Sequence, residues 1–118
     1  MEKLDLSCNK ISDINVLEKV NFKQLKELNL FDNGPGLKEI SVLEKVQFEN
    51  LEKLNLCWNP ITNIKILEKT NFYKLKDLSF EQPENKKDKI SLWNYLKLKF
   101  KDLEIPDLED EEDENNDC

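Results

Sequence analysis

The sequence predicts an α/β repeat solenoid, with about five short parallel strands on a curved concave face and short helices or turns on the convex face. Three observations predict it. A unit of 24 to 26 residues recurs with apolar residues at matching positions, and charges within the units alternate in sign from one to the next. Only 38% of the 118 residues are hydrophobic against 36% charged, so an ordinary compact core is thin and apolar residues must be placed economically.

The units align in order. Leu4-Asp5-Leu6-Ser7-Cys8-Asn9 matches Leu28-Asn29-Leu30-Phe31-Asp32-Asn33 and Leu54-Asn55-Leu56-Cys57-Trp58-Asn59. Met1, Leu25 and Leu51 stand three positions before the first leucine of each. After the asparagine come Ile11 and Ile14, Leu37 and Ile40, Ile61 and Ile64, then Leu17, Leu43 and Leu67, and finally Phe22, Phe48 and Phe72. The longer second unit holds Asn33-Gly34-Pro35-Gly36, with both glycines of the chain, which reads as a loop insertion between rungs. A fourth strand, Leu75 to Phe80, keeps the frame but has Pro83 at the asparagine position. Leu103 lies 25 residues beyond Leu78, which places a fifth strand over 100–105 with Phe100 in the Met1 position; Pro106 ends it. Ile90, Leu92, Trp93 and Leu96 predict a short helix over 90–98.

This organisation gives one repeat domain, 1–106, with repeats near 1–24, 25–50, 51–74 and 75–99 and the closing strand 100–105. Each strand turns its leucines inward, because side chains alternate across a strand. Asn9, Asn33 and Asn59 then form a buried ladder that satisfies backbone groups freed where each strand turns. Asn15 and Ser41-Val42-Leu43-Glu44 mark helix starts, the latter as a capping box. Glu2, Lys26, Glu52 and Lys76 alternate at the second rung position, and Lys3, Glu27, Lys53 and Asp77 at the third. In a parallel stack each lies beside opposite charges, which reads as glue between rungs rather than a binding site. In the predicted register the alternation fails at Lys101 and Asp102.

All 18 basic residues are lysines; histidine and arginine are absent. That removes the usual general base, the commonest zinc ligand and the bidentate phosphate grip. No nucleophile–base pair can be assembled, so no catalytic residue, metal site or cofactor is expected. The net charge of -7 is uneven: residues 107–118 hold eight carboxylates and no lysine, whereas residues 1–106 are nearly neutral. The run predicts a disordered acidic tail, and the neutral body argues against nucleic acid. No apolar stretch is long enough for a membrane span and no signal peptide is evident. Cys8 and Cys57 are two rungs apart and Cys118 is in the tail, so unpaired thiols and an intracellular, cytoplasmic or nuclear location are expected. Lys86, Lys87 and Lys89 read as a solvated loop.

The residues between the inward leucines line the concave sheet. Asp5, Asn29, Asn55, Ser79 and Glu104 form the middle row; Ser7, Phe31, Cys57 and Glu81 run beside it, then Cys8, Asp32, Trp58 and Gln82. Small polar residues are the ordinary content of such a surface. Phe31, Cys57 and Trp58 depart from it, beside Asp32 and Asn55, and exposed aromatics on a rigid sheet are what binding hot spots consist of. The partner-binding residues are therefore Asp5, Asn29, Phe31, Asp32, Asn55, Cys57, Trp58, Ser79 and Glu81.

The pattern LxxLxLxxNxIxxIxxL closely resembles the leucine-rich repeat of short intracellular type. It is similar to the type-1 protein phosphatase regulatory subunit and to acidic leucine-rich nuclear phosphoproteins, which combine a repeat domain with an acidic tail. Tyr95 to Asp110 resembles the capping motif of intracellular repeats, and Asn9 to Leu17 resembles internalin-like surface proteins. The resemblance implies a non-enzymatic scaffold that binds another protein on its concave sheet. It also raises an acidic-tail inhibitor or chaperone-like binder of a basic protein, of histone or phosphatase type. Met1 already occupies the first leucine position, so the chain is either a fragment of a longer array or covers that end by self-association.

Overall fold

A computed structural model of the chain describes residues 1–106. The expected acidic tail and Cys118 lie outside the described residues. Four three-residue strands, β1 (Lys3–Asp5), β2 (Glu27–Asn29), β3 (Lys53–Asn55) and β4 (Asp77–Ser79), form one parallel sheet in chain order. Leu4, Leu28, Leu54 and Leu78 stand in register across it, as the repeat predicts. The core behind the sheet is built from one apolar row per rung position. Leu25, Leu51 and Leu75 form one row, Leu30 and Leu56 another, and Phe48, Phe72 and Phe100 a third; all are fully buried. Burying a leucine or phenylalanine this completely contributes about 1.5–3 kcal/mol, which is how so few apolar residues support the fold.

The charge alternation is present as ion pairs. Lys3 reaches Glu27 at 3.7 Å, Lys26 reaches Glu2 at 3.5 Å, Lys53 reaches Glu27 at 3.7 Å and Lys76 reaches Glu52 at 3.0 Å. The Lys76 contact lowers the Glu52 pKa and raises that of Lys76, in each case chiefly through the hydrogen bond between them. These pairs are solvent-exposed, so they select register more than they stabilise.

The convex side departs from expectation. Its segments over the first three rungs are 3-10 turns, Asn15–Lys19, Ser41–Glu44 and Ile64–Lys69. The first two begin where predicted, but the capping box does not form. Asp13 Oδ1 instead accepts the Asn15 N–H at 2.8 Å, and Glu39 Oε1 accepts that of Ser41 at 2.9 Å. Segments this short cannot close enough α-helical bonds, and the tighter turn fits the rung spacing.

The true helix is α1 (Lys86–Lys99), longer than the predicted 90–98. Asn85 caps it by accepting the N–H groups of Lys87 at 2.8 Å and Asp88 at 3.2 Å. Lys86, Lys87 and Lys89 are therefore in its first turns and not in a loop. Trp93 enters the core from α1, packs on Phe80 at 5.2 Å and donates its indole N–H to Gln82 Oε1 at 2.7 Å. Gln82 is consequently buried rather than on the concave surface.

Four strands form among the described residues, not five, and the closing segment sits in a different register. Leu25, Leu51 and Leu75 donate N–H to the carbonyls of Phe22, Phe48 and Phe72; Leu103 does the same to Phe100 at 3.0 Å. Glu104 then donates to the Lys76 carbonyl at 2.8 Å, as Lys76 does to Glu52. Phe100 thus continues the phenylalanine row, and Leu103 takes the position predicted for Phe100. Lys101 and Asp102 form a turn. At the second rung position the alternation therefore continues, with Glu104 after Lys76, while the third position passes from Asp77 to uncharged Ile105. Pro106 has no N–H with which to extend the ladder.

Candidate partner-binding surface

β1, β2 and β3 leave the sheet through the same device. The residue two places after Leu6, Leu30 and Leu56 adopts left-handed backbone: φ is 58° at Cys8, 55° at Asp32 and 62° at Trp58. This turn aims the following asparagine inward. Asn33 and Asn59 are buried, as expected of a ladder. Asn59 Oδ1 accepts the Asn33 N–H at 2.8 Å, and its Nδ2 donates to the carbonyls of Leu30, Leu56 and Cys57 at 2.8–3.2 Å. Asn33 Oδ1 accepts from Asn9 and Ile11, both at 3.0 Å, and its Nδ2 donates to Leu6 and Leu30. Asn9 corrects the prediction, because it is exposed and its side chain donates to the nearby Ser7 carbonyl at 2.9 Å, while only its backbone N–H reaches the next rung. A ladder asparagine is buried by the rung before it, and rung one is the outermost rung described.

The left-handed turn has a second consequence. It throws the side chain of its own residue outward, onto the rim of the sheet. At rung three that residue is Trp58, which remains 62% exposed. Its ring lies 6.3 Å from that of half-buried Phe31, tilted by 51°. Asp32, half-buried, occupies the equivalent position one rung earlier. A bulky residue at positive φ costs about 1–3 kcal/mol, and at this exposure burial returns little of it.

The middle row has a role that the sequence reading did not assign. Asp5 Oδ1 accepts the Ser7 N–H at 2.9 Å and its hydroxyl at 2.6 Å; Asn29 and Asn55 accept the N–H of Phe31 and Cys57, each at 2.9 Å. The Ser7 bonds hold the Asp5 carboxyl below its ordinary range. These side chains tie the strand ends to themselves, and the spacing Asp/Asn-x-Ser/Phe/Cys was the available signal. Asn29, Asn55 and Ser79 also line one shallow depression of 190 Å³ with Glu27, Lys53 and Asp77.

Of the nine predicted binding residues, then, Asn29, Asn55 and Ser79 come together, as do Phe31 and Trp58. Asp5 lies on the outer strand β1, and exposed Glu81 lies just past β4. Cys57 does not present a surface at all. It is 3% exposed and disulfide-bonded, so the expectation of an unpaired thiol is corrected there, while Cys8 is free and exposed. Among the described residues, no helix is long and apolar enough to cross a membrane.

Compared with known proteins, residues 50–70 match the family model for the Leucine Rich Repeat, which spans β3 and the third 3-10 turn. No curated protein matches the chain.

Proposed function

We propose that this leucine-rich repeat protein is a non-enzymatic interaction scaffold, a repeat solenoid that captures a protein partner on its concave sheet through Trp58 and Phe31. Leucine-rich repeats generally serve as protein-binding modules, and residues 50–70 carry that repeat. One observation carries the more specific reading: Trp58 is held at φ 62° while 62% exposed. Glycine, asparagine or aspartate meets the turn at lower cost, and Asp32 does so one rung away. A tryptophan kept there without burial is best accounted for by contact with something outside the chain. Phe31 extends the apolar area, and the polar depression of Asn29, Asn55 and Ser79 supplies hydrogen-bonding groups beside it. An aromatic anchor with a polar surround is the anatomy of a binding hot spot.

Affinity capture by the full chain, compared with the Phe31→Ala/Trp58→Ala variant, tests this reading. The double variant should lose its partner while its thermal midpoint stays within a few degrees. Undiminished capture by the variant would sink the proposal.

A further inference from the structure

We infer that the cleft between the third rung and α1 is a socket for the side-chain carboxamide of an asparagine or glutamine presented by a partner protein. Its atoms are separate from the Trp58–Phe31 ring pair, so the socket does not depend on those rings binding anything.

The asparagine ladder shows what a carboxamide does for the rung before it. Asn33 accepts the Asn9 N–H at 3.0 Å and donates to the Leu6 carbonyl at 3.1 Å. Asn59 accepts the Asn33 N–H at 2.8 Å and donates to the Leu30 carbonyl at 2.8 Å. The corresponding groups of rung three are the Asn59 N–H and the Leu56 carbonyl, and the residue placed to meet them is Pro83, whose ring carries neither donor nor acceptor. The residue before a proline is biased to extended backbone, and Gln82 does not repeat the left-handed turn of Cys8, Asp32 and Trp58. The chain leaves the rung there, and α1 starts at Lys86. Among the described residues nothing accepts the Asn59 N–H, and the Leu56 carbonyl accepts only from Asn59 Nδ2, at 3.0 Å. Its equivalent, the Leu30 carbonyl, accepts from both Asn33 and Asn59. A carbonyl oxygen has two lone pairs, so Leu56 keeps one open.

A cleft of 330 Å³ occupies the gap, with Leu56, Asn59, Ile61 and Ile64 on one side and Phe80, Gln82 and Leu92 on the other. Ile61 and Ile64 stay half-buried, where Leu37 and Ile40 at the same rung positions are at most 1% exposed. Gln82 is only 8% exposed. The Trp93 indole fixes its Oε1 at 2.7 Å, which turns Nε2 away from Trp93 and toward the cleft it lines. Among the described residues nothing accepts from Nε2, and buried donors are rarely left so.

Two donors and one carbonyl lone pair therefore face a space with apolar walls. A primary carboxamide complements all three. Its oxygen accepts from Asn59 and Gln82, as Asn33 Oδ1 accepts from Asn9 and Ile11, and its NH2 donates to Leu56. Its aliphatic stem packs against Ile61 and Phe80. A carboxylate has no N–H for Leu56 and would lie beside exposed Glu81, which also lines the cleft. In the intact ladder a polypeptide side chain delivers this group. Asn59 directly follows Trp58, so a partner chain crossing the turn that carries the exposed indole is placed to deliver it here.

Nuclear magnetic resonance of the nitrogen-labelled full chain tests the socket. Three capped peptides, acetyl-Gly-X-Gly-methylamide with X as Gln, Glu or Leu, serve as probes. The Gln peptide should shift the Asn59 backbone and Gln82 side-chain amide signals saturably, and bind about tenfold or more tightly than the Glu and Leu peptides, which leave buried groups unpaired. Hydrogen exchange supplies a second measurement that needs no ligand. In the free chain the Asn59 amide should exchange about tenfold or more faster than the Asn33 amide, which Asn59 Oδ1 holds, and the Gln peptide should slow it. Four results would each overturn the inference: no saturable shift at those two groups, equal binding of the three peptides, or an Asn59 amide as protected as that of Asn33 in the free chain. The fourth is a faster Asn59 amide in the full-length Asn115→Ala/Asn116→Ala variant, which would assign the socket to a carboxamide of the chain itself.

Discussion

Asn33 donates its backbone N–H to Asn59 Oδ1 at 2.8 Å, across two successive rungs and out of contact with water. The same Asn59 side chain donates to three carbonyl oxygens on rungs two and three. One side chain thus satisfies four backbone groups at the point where two strands leave the sheet. Asn59→Ala should destabilise by about 3 kcal/mol, because several buried groups lose their partners together. Asn9→Ala, at the exposed end of the ladder, should cost under about 1 kcal/mol. Urea midpoints of the two variants decide whether burial or sequence position sets the importance of the asparagine.

Trp58 gives a prediction in which stability and binding move in opposite directions. Asparagine tolerates left-handed backbone, so Trp58→Asn should stabilise the chain by about 1 kcal/mol. Partner capture should fall at the same time. A thermal melt beside a binding titration checks both, and a variant that is less stable yet still binds would return Trp58 to a packing role.

The ion pair between Glu52 and Lys76 sets the sign of the pH response. The Glu52 pKa is lowered from its ordinary 4.5, chiefly by hydrogen bonding to Lys76. Its contribution is therefore complete above pH 4.5 and is lost as pH falls through the lowered folded-state value. Asp5, lowered from 3.8 by Ser7, acts in the same direction in a more acidic window. Lys76 is raised from 10.5, so its contribution is complete below that pH and disappears as pH rises through the raised value. Unfolding midpoints between pH 7 and pH 3 should fall less steeply in Glu52→Gln than in the wild type.

The closing register makes a local prediction. Glu104 donates its N–H to Lys76, whereas the uninterrupted repeat frame assigns that bond to Asp102 and its neighbour. Native-state hydrogen exchange should find the Glu104 amide protected and the Asp102 amide fast. The reverse pattern would restore the frame expected from spacing alone.

Salt separates capture by the sheet from capture by the acidic run. Binding anchored on Trp58 and Phe31 should persist in about 0.5 M salt, where charge attraction between exposed groups is largely screened, and should survive deletion of 107–118. Loss of binding under either condition would move the partner site to the eight carboxylates of that segment.

The sequence by itself determined the three complete rungs. Strand side chains alternate between faces, so a leucine spacing of 24 to 26 residues specifies at once which residues face inward, which neighbours pair and which charges meet. The register of Leu4, Leu28 and Leu54 and the aromatic pair on the rim were legible for that reason. The tertiary structure decided whatever depends on filling a particular space. In the closing segment two apolar residues compete for one frame, and the decision falls to the phenylalanine row, which admits Phe100 and so moves Leu103 and Glu104 into the next positions. Gln82 turns inward because the indole of Trp93, eleven residues further along the chain on α1, needs an acceptor. Asn9 stays outside because burial of a ladder residue comes from the rung before it. Periodicity assigns a residue to a face of its own strand; only packing determines whether another element covers that face.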